Sequence, residues 1–216
     1  MAGIASGVRL KSSRLNRFPV SLAAIVLVFT MQSTGQASVV INEIHYNPPA
    51  PDGRDLEFVE LYNSGPTALA IAGWKLEGGI YFEFPAGAEI PASGYVVVCR
   101  DRALVAESYN VSQAELFGNY EGRLDNDGDK VSLLDGFNAV ADVVRYDDRF
   151  PWPSGSGSVD GGGASLERRC VSAPSNIPTN WVSEVGNQPT QLAANKQVAC
   201  PTVPMSVQAI VINGVH

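Results

Sequence analysis

The sequence predicts an all-β domain, a sandwich or barrel of short strands. Two observations carry this reading. Apolar runs rich in Val, Ile, Phe and Tyr recur at hairpin spacing, and turns drawing on 21 Gly and 14 Pro separate them. Only one stretch, DRALVAESYN, carries apolar residues at helical spacing, at Leu104, Val105 and Tyr109.

The strands follow in order. SVVINEIHY is the first, ended by NPPAPDGRD, because proline cannot donate to a ladder and Asp-Gly turns sharply. LEFVELY comes next and stops at NSGP. ALAIAGWKLEG and IYFEF follow, then the loop PAGAEIPASG and the run GYVVVCRD. After the helix, KVSLLD and AVADVVRY flank DGFN, a strong hairpin signal. The loop FPWPSGSGSVDGGG leads into ASLERRC. Beyond Cys170 periodicity fades, and residues 171–205 read as an irregular tail or linker anchored by Trp181.

Residues 1–37 stand apart from this fold. Arg9, Lys11, Arg14 and Arg17 precede the apolar run of residues 19–31, and small residues close the segment at Gly35 and Ala37. That is the pattern of a secretory signal peptide cleaved after Ala37. The run is short of the roughly 20 residues that a span needs, so an uncleaved anchor is the alternative. The expected destination is secreted, periplasmic or extracellular, with no membrane contact after cleavage. At the far end, IVINGVH resembles VVINEIH of Val39 to His45, so residues 206–216 read as the start of a further repeat or domain.

Cleavage removes four basic and no acidic residues, which takes the formal net charge from −7 to −11. Such a surface repels phosphate backbones, so no nucleic-acid partner is expected, Glu167-Arg168-Arg169 being the one local patch to watch. Three cysteines remain, at spacings that match no zinc motif. Cys99 ends an apolar strand and reads as a small buried hydrophobe. An oxidising destination lets Cys170 and Cys200 pair, although spacing alone does not establish the bond.

Candidate chemistry is sparse. His45 is one of two histidines, and no GxSxG or other nucleophile context accompanies it. Asp125, Asp127 and Asp129 alternate as in a calcium loop, but Lys130 and Gly136 stand where an EF-hand needs Gly and Glu, so LDNDGDK reads as a turn. Gly161 to Gly163 lack the Lys-Ser/Thr of a phosphate loop and read as backbone freedom or close approach. Trp74 sits in an apolar run and belongs to the core, whereas Trp152, in FPWP, reads as a surface contact. No catalytic, cofactor-binding or metal-ligating residue is assigned.

DLEFVELYN raises a different question. Alternation puts Phe58, Glu60 and Tyr62 on one face and Glu57, Val59 and Leu61 on the other, so a glutamate enters the interior whichever face is buried. Glu60 and Glu43 are the candidate structural carboxylates, with Asn42, His45, Lys75 or Arg54 as partners for Glu60. The competing reading is a calcium site on the same two glutamates.

The succession VVINEIHYNP, EFVELYN, IAGWKLEGG, FPAGAEIPASGYVVV, LDNDGDKVSLLD and GGGASLER closely resembles the lamin tail domain family in its bacterial, exported form. The resemblance spans residues 38–170. It implies an immunoglobulin-like sandwich that recognises or scaffolds, without catalytic residues of its own and without a cofactor. The expected role is a binding, adhesion or scaffolding module for an unknown protein, polysaccharide or envelope component. The alternative is the N-terminal accessory domain of a truncated secreted nuclease or hydrolase, since relatives occur attached to such enzymes.

Overall fold

A computed structural model describes residues 39–49, 51, 53–154, 159–183, 189, 190 and 200. The segments read as a signal peptide and as a terminal repeat lie outside the described residues. Thirteen strands and one α-helix, with three short 3-10 turns between them, make up the regular structure there: β1 (Val39–His45), β2 (Phe58–Asn63), β3 (Leu69–Ala70), β4 (Lys75–Gly78), β5 (Ile80–Glu83), β6 (Glu89–Ile90), β7 (Tyr95–Cys99), α1 (Arg102–Tyr109), β8 (Leu116–Gly118), β9 (Glu121–Gly122), β10 (Gly128–Leu134), β11 (Val140–Asp147), β12 (Leu166–Arg168) and β13 (Trp181–Val182). No helix among the described residues is long and apolar enough to cross a membrane.

The strands form two principal sheets. One has the order β13-β12-β1-β2-β7-β8 and the other β11-β10-β4-β5-β9; β3 and β6 form a two-stranded ribbon. Pairing is antiparallel except between β7 and β8, where α1 makes the crossover that a parallel pair requires. The core lies between the two sheets. Ile41, Ile44, Val59, Leu61, Val98 and Leu166 from the first meet Leu76, Ile80, Val131, Leu133 and Val144 from the second, each at most 1% exposed. This is the expected immunoglobulin-like sandwich.

Local chemistry accounts for the joints. Ile41 and Ile44 are three residues apart, so both face inward only if the strand gains an extra residue. The β1–β2 register shifts between Ile41 and Glu43, which is the bulge that achieves this. Asn63 ends β2 by accepting from Gly65 N at 2.9 Å and donating to the carbonyls of Thr67 and Pro91 at 2.8 and 3.0 Å, which ties NSGP to the loop before β7. Asp101 caps α1 by accepting from Ala103 N and Leu104 N, and Asn110 closes it at φ 54°. DGFN turns as expected: Asp135 accepts from Phe137 N and Ala139 N, and Asn138 takes φ 61°. Asp125 likewise accepts from Asp127 N at 3.1 Å, so LDNDGDK begins as a turn and runs on into β10.

Four expectations need correction. ALAIAGWKLEG is two strands, not one, broken by a turn at Gly73 with φ 76°. PAGAEIPASG is not all loop, since β6 within it pairs with β3. The tail is not irregular throughout and the sandwich does not end at Cys170, because β13 pairs with β12 through Glu167–Val182 and Arg168–Trp181. Finally, Trp152 is no surface aromatic: it is 8% exposed and lies 6.1 Å from Trp181, ring to ring.

Candidate functional site

The polar residues of β1, β2 and β12 meet on the outer face of the six-stranded sheet. Register places Glu43 opposite both Glu60 and Glu167, and Glu60 opposite Val97. His45 sits opposite Phe58, which sits opposite Cys99. An outer sheet face is ordinarily wet, but this one is covered. Phe58, Val97, Cys99, Val105 and Leu116 form a second apolar cluster, with Tyr109 and Val111 packed on it from the end of α1 and Leu56 from the turn before β2. Glu43, Glu60 and His45 are 0% exposed, and Glu167 is 6% exposed.

Burying three carboxylates in one row is costly unless each finds donors. Glu43 accepts from Ser165 Oγ, from Thr190 N at 3.0 Å and from Thr190 Oγ at 3.1 Å. Glu60 accepts from Asn42 Nδ2 at 2.8 Å, the donor that the bulge delivers. Lys75, a candidate partner for Glu60, instead donates to Asn138 in the opposite sheet. Burial, reinforced by the charge of Glu167, pushes the Glu43 carboxyl up to about 7 against the bonds from Ser165 and Thr190.

His45 is held differently. Its ring lies 5.3 Å from Phe58 and 6.2 Å from Tyr109. Burial brings its imidazole down to about 3, and the Ala164 backbone opposes that shift without completing a hydrogen bond of ordinary geometry. Among the described residues neither ring nitrogen is hydrogen-bonded to a hydroxyl or thiol. A neutral, enclosed imidazole without a bonded nucleophile lacks the geometry of base activation. Cys99 Sγ, in the same face, donates to the Phe117 carbonyl, and burial pushes its thiol up to about 12. A thiol held protonated in this way is a weak nucleophile.

The other glutamate of DLEFVELYN is buried as well. Glu57 is 1% exposed and accepts at Oε2 from Tyr120 Oη and Leu124 N, both at 2.9 Å. Burial raises its pKa, partly offset by those two bonds and by Arg100. Both faces of this strand therefore carry a buried carboxylate. Sequence reasoning gave Glu57 no role, although the alternation that selects Glu60 applies to it equally.

Arg168 overturns the expectation of a basic surface patch. It shares the face of Leu166, is 5% exposed and pairs with Asp142 of β11 at 2.9 Å. It also donates to the carbonyls of Ile41 at 3.1 Å, Cys170 at 3.2 Å and Ala173 at 2.8 Å. Asp142 in turn accepts from Ile41 N at 2.9 Å and from Ser175 Oγ. One guanidinium and one carboxylate thus join β1, β11, β12 and the segment after Cys170. Asn180 pins that segment through Cys170 N and the Cys170 carbonyl, each at 3.0 Å, while Trp181 Nε1 donates to the Ser175 carbonyl at 2.8 Å. Cys170 and Cys200 are disulfide-bonded with Cα atoms 4.9 Å apart.

Among the described residues no group of three His, Cys, Asp or Glu side chains is placed to hold a metal ion. The polar row offers hydrogen-bonded carboxylates and a neutral imidazole behind apolar cover, an arrangement suited to holding strands together. Residues 32–148, more than half of the chain, match the family model described as Lamin Tail Domain. No curated protein matches the sequence.

Proposed function

The chain belongs to the lamin tail domain family, and we propose that it acts as an exported, non-catalytic binding, adhesion or scaffolding module. One observation supports this reading above the others. The candidate groups for acid–base or nucleophilic chemistry that meet around the first sheet, Glu43, Glu57, Glu60, His45 and Cys99, are all buried, and each takes part in hydrogen bonds or ring packing within the fold. What such a sandwich presents to partners is its loops and hairpin tips, positioned by a rigid scaffold. Phe137 at the β10–β11 tip is 94% exposed and Phe150 is 90% exposed.

The partner class follows from charge and destination. With a mature net charge of −11, association with nucleic acid is disfavoured, and proteins, polysaccharides or other envelope components are the partners of choice. The test is a titration of the labelled, disulfide-intact chain against isolated bacterial envelopes. Saturable binding that unlabelled chain competes away is expected. Binding that never saturates, or none at all, would overturn the reading.

A further inference from the structure

The two outer faces of the sandwich differ. That of the six-stranded sheet lies under α1 and the second apolar cluster. That of the five-stranded sheet is open. Val131 and Val144 are paired and both enter the core, so Lys130 and Ser132 of β10 point outward with Val143 and Arg145 of β11. The same alternation turns out Lys75 and Glu77 of β4, Tyr81 and Glu83 of β5 and Glu121 of β9. Lys130, Arg145, Glu83 and Glu121 are exposed, and Tyr81 is 43% exposed.

Charge on this face is sorted by strand. Register sets Lys130 directly opposite Arg145, two like charges side by side, and neither enters an ion pair among the described residues. Asp147, at the end of β11, is drawn into the following turn, where it accepts from Arg149 N at 2.9 Å. On the other side of the sheet, Glu77, Glu83 and Glu121 surround Tyr81, whose hydroxyl donates to Glu83 at 3.3 Å. Loss of hydration, and then the charges of these three glutamates, raise the pKa of that hydroxyl. Lys75 on the middle strand is opposite Glu83 and donates to Asn138 at 2.9 Å. The cations of β10 and β11 and the carboxylates of β4, β5 and β9 thus form two halves of opposite sign.

We propose that the outer face of the five-stranded sheet is a self-association surface, on which a second copy of this chain docks face to face. A partner of one charge sign meets repulsion from one half, whereas the same face turned over is complementary to both. Because β4 is the middle strand of five, a two-fold axis along it lays β11 over β9 and β10 over β5. Arg145 then approaches Glu121 of the second copy, and Lys130 approaches Glu83. The bulky Tyr81 of β5 lies over the β10 row that holds Ser132, a small side chain that leaves it room. Five strands about 4.8 Å apart make a face about 20 Å across, which places this contact among small, reversible interfaces. The net charge of −7 opposes the approach of two copies, but at physiological salt that repulsion is screened beyond about 8 Å and the pairs in contact decide. This association does not depend on the envelope binding proposed above.

Sedimentation equilibrium of the full, disulfide-intact chain at neutral pH and physiological salt tests it. The weight-average mass is expected to rise with concentration from one chain towards two, and about 1 M salt to reverse the rise. Lys130→Glu/Arg145→Glu makes the face acidic throughout, and Glu83→Lys/Glu121→Lys replaces the outer carboxylates by cations. Each variant alone is expected to stay monomeric where the wild type is half dimeric, with an unchanged melting temperature. An equimolar mixture of the two is expected to regain the mass of a dimer, because acidic and basic faces then meet. A wild type that is monomeric up to about 1 mM, self-association unchanged in either variant, or a mixture that stays monomeric would each overturn the assignment.

Discussion

Replacing Glu43 by Gln should remove a pH dependence that the fold carries. The Glu43 carboxyl titrates at about 7 in the folded chain and at 4.5 as an ordinary carboxylate. A folded value raised above the unfolded one means that the folded state binds the proton more tightly. The associated stability is fully present below 4.5 and is lost as pH rises through 7. At about 1.4 kcal/mol per tenfold, the loss between pH 5 and pH 8.5 is about 3 kcal/mol. Gln keeps an acceptor for Thr190 N and has no charge to bury beside Glu167. Urea unfolding of both proteins across that pH range isolates the effect, because Glu57 and His45 titrate in both and cancel in the difference. Near pH 5 the two should agree within about 1 kcal/mol, and by pH 8.5 the Gln variant should be the more stable by about 2–3 kcal/mol. A difference that does not vary with pH, or one that favours the wild type as pH rises, would refute the reasoning.

Other outcomes follow from the same structure. Arg168→Met takes the cation away from the Asp142 charge and a donor away from four carbonyls, and should cost about 3–5 kcal/mol in urea unfolding; Arg168→Met/Asp142→Asn should recover part of that loss. Cys200→Ser opens a loop of 30 residues, and in the chain-entropy view lowers stability by about 3 kcal/mol, read as a drop in melting temperature that reductant reproduces in the wild type. Because Arg168 is committed inside the fold, duplex DNA at physiological salt should bind no tighter than about 10⁻⁴ to 10⁻⁶ M by fluorescence anisotropy, and a nanomolar complex would contradict the charge argument.

The legible parts of the fold were those fixed by local chemistry. Asp135 and Asn138 in DGFN, Asp101 ahead of the helix and Asp125 in LDNDGDK act through neighbours a few residues away, so the residue type announces the turn. The bulge at Asn42 was also within reach, since Ile41 and Ile44 break strict alternation. What escaped depends on distant partners. Trp152 in a proline-rich loop looks exposed until Trp181 folds back beside it. Arg168 beside Arg169 looks like a patch, yet alternation with Leu166 turns it inward to Asp142. The two residues of β13 are too few to carry a period, and β8 pairs in parallel only because α1 returns the chain. The candidate site divides in the same way. Glu43 and Glu60 were selected by pattern, while the donors Ser165 and Thr190 lie more than one hundred residues from Glu43 in sequence.

The central claim is that the buried polar row serves the fold and no chemistry. Turnover assays on the purified full chain, with ester, peptide, glycoside and phosphodiester substrates and alongside folded His45→Asn and Glu43→Gln variants, test it most directly. The account predicts no product above buffer from the wild type with any of the four classes. Turnover by the wild type that either variant abolishes while retaining its fold would contradict it.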